Sequence, residues 1–320
     1  MHSWSAPLRE RKLDLRRRLA ACFVSDRRYV TKLYRDAFGR VPDLAHPSGF
    51  NEKILVKILG DRRTYLTCFS DKLRARQHVA RVAPSLLLPA LYWHAARAEA
   101  LDLDVLPDAF MLKPNHGSGW LRAVPDKRAA RRDELVRLAR RWLASDFSIV
   151  GREWAYRNIE RAVYAEELLR GEEGRSPSDY KLFVFSGKVR LIQVDCDRFT
   201  RHTQMLYDEQ WRPIAGTIRA RQGRELPAPG SLATMIAAAE ALSLGVDFVR
   251  VDLYDIGGAP YFGELTHYPN KGLNRFDPAS LDEWLGSAFV LDDYAIDKPR
   301  LLHDPTIWVA AGTNLSARQK

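Results

Sequence analysis

Only three cysteines occur in 320 residues, Cys22, Cys68 and Cys196, and they are far apart. No Cys-x-x-Cys or Cys/His spacing accompanies them, which argues against a disulfide scaffold or a zinc module. A reducing compartment, the cytoplasm, is the expected location. Long apolar runs are also missing. LAACFV and SLLLPALYW fall far short of a membrane span. LAACFV is too short for a signal-peptide core, and no small-residue cleavage site follows it. Internal repeats and low-complexity tracts are absent as well, and no Ser/His/Asp or Cys/His arrangement suggests a nucleophile of the protein's own.

What is present is the composition of a soluble globular chain, 46% hydrophobic and 28% charged. That length suits one large domain or two modest ones. The net charge of +10 is unevenly placed: residues 1–40 hold 11 Lys/Arg against 4 Asp/Glu. Such a segment suits an anionic membrane surface, an acidic polysaccharide or a solvated helix face. Nucleic acid is the weakest option, because no recognised binding motif accompanies the basic segment.

Along the chain, residues 7–38 read as basic helix, with Leu13, Leu15, Leu19, Phe23, Val30, Leu33 and Tyr34 as apolar positions and Ser25 capping a second helix. FNEKILVKIL is a short helix opened by Asn51. Ser70 is the expected N-cap of DKLRARQHVARVA, with Lys72 in its first turn. A cation there runs against the helix dipole, a hint of anion binding. Phe110–Lys113 reads as a strand running into the loop Asn115–Gly119. Backbone N–H groups of such a loop can cradle an anion, with Lys113 beside it as a point charge. His116 reads as a polar loop residue. RRDELVRLARRWLA is amphipathic, with Leu135, Leu138 and Trp142 on one side. DYKLFVFSGKVRLIQVDCD is a hairpin turning at Ser186-Gly187, with Asp179, Lys181, Phe183 and Phe185 sharing a face. Ser231 is expected to cap, and Gly245 to end, the helix between them.

The most informative stretch is Gly245–Gly272, a second hairpin with a Gly257-Gly258 turn. With a three-residue loop, Asp252 faces Glu264, Arg250 faces Thr266, and Val249, Val251, Leu253, Tyr261 and Leu265 make an apolar face. With a two-residue turn, Glu264 joins the buried face. The apolar pattern selects the first register. Opposed side chains then lie about 5 Å apart, and like charges there are destabilising. Asp252 and Glu264 call for a cation, either Arg250 or Mg²⁺, or else are two exposed acids on an edge hairpin.

Together FNEKI, SDKLRAR, FMLKPNHGSG, AEELL, DYKLFVFSGKV and FVRVDLY…YFGELT, in that order over about residues 50–275, resemble the ATP-grasp superfamily. The nearest likeness is to its TupA-like branch, associated with bacterial cell-surface polysaccharide loci. D-alanine–D-alanine ligases carry the same order of pieces. The resemblance implies an α+β ATP-grasp fold over residues 51–300, with a small lobe and lid at about 105–165 and a large lobe at about 166–300. A basic segment (1–50) precedes it and a tail (301–320) follows. ATP would lie between the lobes, its phosphates held by Lys72, Lys113 and Lys181 and covered by Gly117, Ser118 and Gly119. Glu166, Glu167 and Leu168 would form the hinge near adenine and ribose. Asp252, Glu264 and Thr266 would hold Mg²⁺, with Thr266 where the ligases have Asn. Arg250 and Lys113 would stabilise the transferred phosphoryl group. Arg198 and His202 are further candidates for substrate contact.

The implied reaction is carboxylate–amine ligation through an acyl phosphate, with a uronic acid or amino acid as carboxylate. The missing nucleophile suits it, since the amine supplies one. A kinase acting on a glycan hydroxyl and a non-catalytic scaffold of polysaccharide assembly are the alternatives.

Overall fold

The computed structural model describes residues 23–171, 176–196 and 202–292. The basic stretch before residue 23, Arg198 and the tail 301–320 lie outside them. The described residues have an α+β architecture, built on two main sheets and a small two-stranded pair. The helices are α1 (Asp26–Phe38), α2 (Phe50–Gly60), α3 (Thr64–Ser70), α4 (Lys72–Val82), α5 (Arg132–Ala144), α6 (Ser148–Gly151), α7 (Leu232–Leu242) and α8 (Ser280–Ala288).

The smaller sheet joins β1 (Leu91–Ala95), β2 (Phe110–Pro114), β3 (Arg122–Val124) and β4 (Val163–Glu166) in the order β1-β4-β2-β3. Leu135, Leu138 and Trp142 of α5 pack with Phe110, Leu112, Val163 and Ala165 into a core of their own. The larger sheet contains β5 (Asp179–Phe185), β6 (Lys188–Cys196), β7 (Thr203–Tyr207), β8 (Pro213–Ile214), β10 (Arg221–Gln222), β11 (Phe248–Ile256) and β12 (Ala259–Thr266), in the order β10-β7-β6-β5-β11-β12 with β8 on β7. A separate two-stranded pair joins β9 (Thr217–Ile218) to β13 (Phe276–Asp277). Every residue of β5 is buried, as befits an interior strand covered on both faces. At the centre of the larger core Phe50 meets Phe183, Phe185, Phe248, Phe276 and Phe289, with ring centroids 5.0–6.1 Å apart. Aromatic pairs at this spacing add to area burial.

Several local expectations change. Ser70 closes α3, and Asp71 caps α4 instead, accepting from the N–H groups of Leu73 and Arg74. Both residues are good caps, but only Asp71 stands free of the preceding helix. Asn51 lies inside α2, whose N-cap position is Gly49. Its amide instead bonds the Asn274 carbonyl at 2.9 Å. Ser231 occupies the cap position of α7 but makes no capping bond, and its hydroxyl donates to Asp255. That helix ends at Leu242, before Gly245.

The Gly257-Gly258 hairpin has a two-residue turn, with both glycines in the left-handed region (φ 62° and 82°) and Ile256 opposite Ala259. The expected three-residue loop is therefore incorrect. Asp252 nevertheless faces Glu264, and Arg250 faces Thr266. A β-bulge reconciles the two facts: Asp252 pairs with Glu264 while Leu253 pairs with Phe262, leaving Gly263 as the extra residue. Phe262, not Tyr261, then joins Val249, Val251, Leu253 and Leu265 in the core. A Cβ at Gly263 would sit 2.8 Å from the Asp252 carbonyl oxygen, so the bulge needs glycine.

A fully buried charge cluster anchors the start of β11. Lys57 of α2 donates to Asp61 at 2.7 Å and to Asp247 at 2.6 Å, and Arg63 binds the same two carboxylates. The Asp247 carboxylate also accepts from the Phe248 N–H, tying the cluster to the first residue of the strand.

Candidate active site

The alternation of β11 places Arg250 and Asp252 on one face, away from Val249 and Val251. Arg250 grips Asp252 through two bonds of 2.6 Å and reaches Thr266 Oγ1 at 3.3 Å and Glu264 at 3.7 Å. Next along the sheet, Lys181 of β5 pairs directly with Asp252 in register. Its ammonium contacts Asp179, Asp195 at 3.1 Å and Asp252 at 4.0 Å. Gln193 and Gln204 donate to Asp195, and His202 lies 3.2 Å from it. Thr266 donates to Glu264 at 3.3 Å.

Lys72 and the glycine loop approach this face from α4 and β2. Asn115 ties them together: its side chain donates to Asp71 at 3.0 Å, and its carbonyl accepts from the Lys72 N–H. The Lys72 ammonium bonds the Gly117 carbonyl at 2.8 Å and lies 3.3 Å from Glu264. One lysine therefore bridges the loop and the hairpin. Ser118 and Gly119 are exposed beyond it, and Gly119 is left-handed (φ 73°). His116 is buried, and its Nε2 lies 3.0 Å from the Trp142 carbonyl, which makes it a structural loop residue.

At the end of β4, Glu166 accepts from Lys113 at 2.6 Å and from Arg76 at 3.2 Å. Glu167 exchanges bonds with Ala90: its N–H donates to the Ala90 carbonyl and its carboxylate accepts from the Ala90 N–H. Leu168 follows, half-buried. The structure thus gathers Arg250, Asp252, Glu264, Thr266, Lys181, Lys72 and Gly117 through direct contacts, with Lys113, Glu166 and Glu167 on the smaller sheet. Sequence reading did not find Arg76 or Asp195, and it placed Asp179 on the face of Lys181 without giving it a role. Arg76 sits one helical turn after Lys72, a spacing that could have revealed it. Asp195 pairs with Asp179 across the Ser186-Gly187 hairpin.

Burial pushes the Asp252 carboxyl up to about 6, against the pull of Arg250 and Lys181. Burial also works against ionised Glu264, but Lys72 and Arg250 outweigh it and bring it down to about 2. Lys181 likewise overcomes the burial of Asp195 and holds it well below the usual carboxylate range. Two facing carboxylates and a hydroxyl are hard oxygen donors that fit Mg²⁺. Among the described residues no set of three or more His, Cys, Asp or Glu gathers to hold a metal. A site of this kind suits Mg²⁺, which commonly takes one or two carboxylates and fills its shell with water and phosphate oxygens.

The model of the TupA-like ATP-grasp family matches residues 52–290, most of the chain. The chain belongs to the TupA-like ATP-grasp family. No curated protein sequence matches it. Among solved structures it is similar to the D-alanine–D-alanine ligase of Bacillus anthracis complexed with ATP, at 20% identity and a TM-score of 0.39, over 74% of this chain and 62% of that one. It is also similar to the L-amino acid ligase of Bacillus licheniformis, at 15% identity and a TM-score of 0.39, over 75% of this chain and 46% of that one. A third likeness is to the ATP-grasp ligase PsnB with its minimal precursor, Mg and ADP, at 14% identity and a TM-score of 0.36, over 63% and 52%. The TupA-like chain thus spans about half to three-fifths of these proteins' lengths.

Proposed function

We propose that this TupA-like ATP-grasp protein is a Mg²⁺- and ATP-dependent carboxylate–amine ligase. The observation that carries the reading is the opposition of Asp252 and Glu264 across β11 and β12, with Arg250 on one side and Lys72 on the other. Asp252, Glu264 and Thr266 would hold Mg²⁺, which when bound offsets phosphate charge and orients the transferred group. Lys72, Lys113 and Lys181 would contact the phosphates, with Gly117, Ser118 and Gly119 covering them. Glu166, Glu167 and Leu168 would lie along the adenine and ribose.

Phosphoryl transfer depends mainly on positioning and charge stabilisation, and these residues supply both. Arg250 presents a planar fork whose orientation Asp252 fixes, which suits a developing phosphoryl or acyl oxyanion. The carboxylate attacks the γ-phosphorus of ATP, forming an acyl phosphate and releasing ADP. The amine then displaces phosphate from the acyl carbon, giving an amide. A uronic acid or amino acid is the proposed carboxylate, destined for a cell-surface polymer, and the enzyme works on the cytoplasmic side where ATP is made. No helix among the described residues is long and apolar enough to cross a membrane. The basic N-terminal segment would supply contact with an anionic glycan or the inner membrane surface.

The test is mass spectrometry of products after incubation with Mg-ATP, uronic acids and mixed amino acids. An amide that forms together with ADP and inorganic phosphate supports the reading. A phosphorylated sugar would replace it with a kinase, and no ATP-dependent product would favour a scaffold.

A further inference from the structure

A group of buried polar side chains beside the hairpin is unused by this mechanism. Glu153 precedes the short helical turn Trp154–Tyr156 and is only 5% exposed, yet its Oε1 has no hydrogen-bond partner among the described residues. The Tyr268 hydroxyl, in a side chain 3% exposed, has none either. Tyr268 follows Thr266, the end of β12, by two residues, and Glu153, Glu264 and Arg250 all act on Tyr156, so the group lies near the proposed phosphoryl site. The turn Pro269–Gly272 closes it from the other side, with Asn270 and Lys271 both left-handed (φ 47° and 61°). Neither is glycine, and strained backbone of this kind concentrates at functional sites. The Lys271 stem and Glu153 converge on Gly151: a Cβ there would lie 2.6 Å from Lys271 Cδ and 2.7 Å from Glu153 Oε1.

Burying a carboxylate oxygen without a partner is costly, and a ligand that donates to it removes the cost. We propose that Glu153 binds the ammonium group of the amine substrate and accepts its proton, with Tyr156 and Tyr268 beside it. This rests on the ligase reading and names its second-substrate site. The charged and titratable groups that interact with Glu153 are Lys271 from the 269–272 turn, Tyr156 and Tyr268, and Arg250 and Glu264 in turn act on Tyr156. Burial pushes the Glu153 carboxyl up to about 7 although Lys271 pulls it down, which suits a base working near neutrality. In the step, the ammonium gives one proton to Glu153. The freed nitrogen lone pair forms the C–N bond as the acyl C–O bond breaks. The second N–H proton leaves with phosphate as hydrogen phosphate, and Glu153 returns its proton to solvent.

The test compares the wild type with Glu153→Gln, which keeps the shape and removes the charge, and with Tyr156→Phe as a second variant. Binding of a fluorescent ATP analogue with Mg²⁺ is measured first. Thermal shifts then follow in saturating Mg²⁺ and a non-hydrolysable ATP analogue, with glycine, D-alanine, L-lysine, glucosamine and ethanolamine, each beside its N-acetyl form. At least one free amine should stabilise the wild type where its N-acetyl form does not. Glu153→Gln should weaken that amine about ten- to a hundredfold and leave nucleotide binding intact. In turnover with the uronic-acid and amino-acid panel, the variant should lose about a hundredfold with the amine but little with hydroxylamine, which is largely unprotonated at neutral pH. Equal loss with both nucleophiles, unchanged amine affinity in Glu153→Gln, or no amine distinguished from its N-acetyl form would overturn the proposal. A wild type that binds no Mg-nucleotide would instead overturn the ligase reading beneath it.

Discussion

Gly263→Ala tests whether the bulge holds the two carboxylates in place. The added Cβ would lie 2.8 Å from the Asp252 carbonyl oxygen and 3.1 Å from the Tyr254 ring. The tyrosine ring can turn aside, but the carbonyl belongs to the residue that carries the proposed metal ligand. Relief requires roughly half an ångström of backbone separation, and a close-packed sheet transmits such a shift. Overpacking of this size costs about 1–3 kcal/mol. Because Asp252 moves with its carbonyl, the Asp252–Glu264 spacing changes, and a misplacement near 1 Å can cost about a hundredfold in rate. The variant should therefore fold, lose about 1–3 kcal/mol in urea titration, and lose about ten- to a hundredfold in ATP-dependent product formation. Wild-type stability together with wild-type turnover would refute the link between the bulge and the site.

Other outcomes follow from the buried charges. Lys57→Met leaves Asp61 and Asp247 with Arg63 as their remaining buried cation in the cluster, and breaking a buried pair costs about 3–5 kcal/mol. Burial opposes ionised Asp61, but Lys57 and Arg63 outweigh it and hold its carboxyl at about 2. That contribution is present above the unfolded carboxyl value and lost only as pH falls through about 2, so the deficit of Lys57→Met in urea titration should be largest near neutrality and shrink in acid. A small, pH-independent deficit would contradict the assignment. Glu153 has the opposite sign. Its folded value of about 7 lies above the ordinary 4.5, so its contribution is complete below about pH 4.5 and fades as pH rises through 7. From pH 4.5 to 8 the wild type should lose about 3 kcal/mol relative to Glu153→Gln, measured by urea titration at each pH.

Much of this arrangement was legible in residue order. Val249, Val251, Leu253 and Leu265 fixed which side of β11 and β12 meets the core, and so put Asp252 opposite Glu264. The same pattern misjudged the turn, because apolar alternation counts faces and is blind to one extra residue. Gly263 inside a strand was the available sign of a bulge. Ser70 and Asp71 are adjacent cap-forming residues, and only the end of α3 at Ser70 decides between them. The pairing of Lys113 with Glu166 spans 53 residues, and no local spacing announces it. Glu153 was missed for a simpler reason: a glutamate beside a charged stretch carries no mark of being buried, and its environment exists only once α6 and the 269–272 turn meet.

Calorimetric titration of ATP with and without Mg²⁺ asks whether Asp252 and Glu264 serve magnesium triphosphate. The wild type should bind ATP in a Mg²⁺-dependent way, and Asp252→Asn, with its fold verified by circular dichroism, should lose that dependence. Equal Mg²⁺-dependent affinity in both proteins would contradict that role.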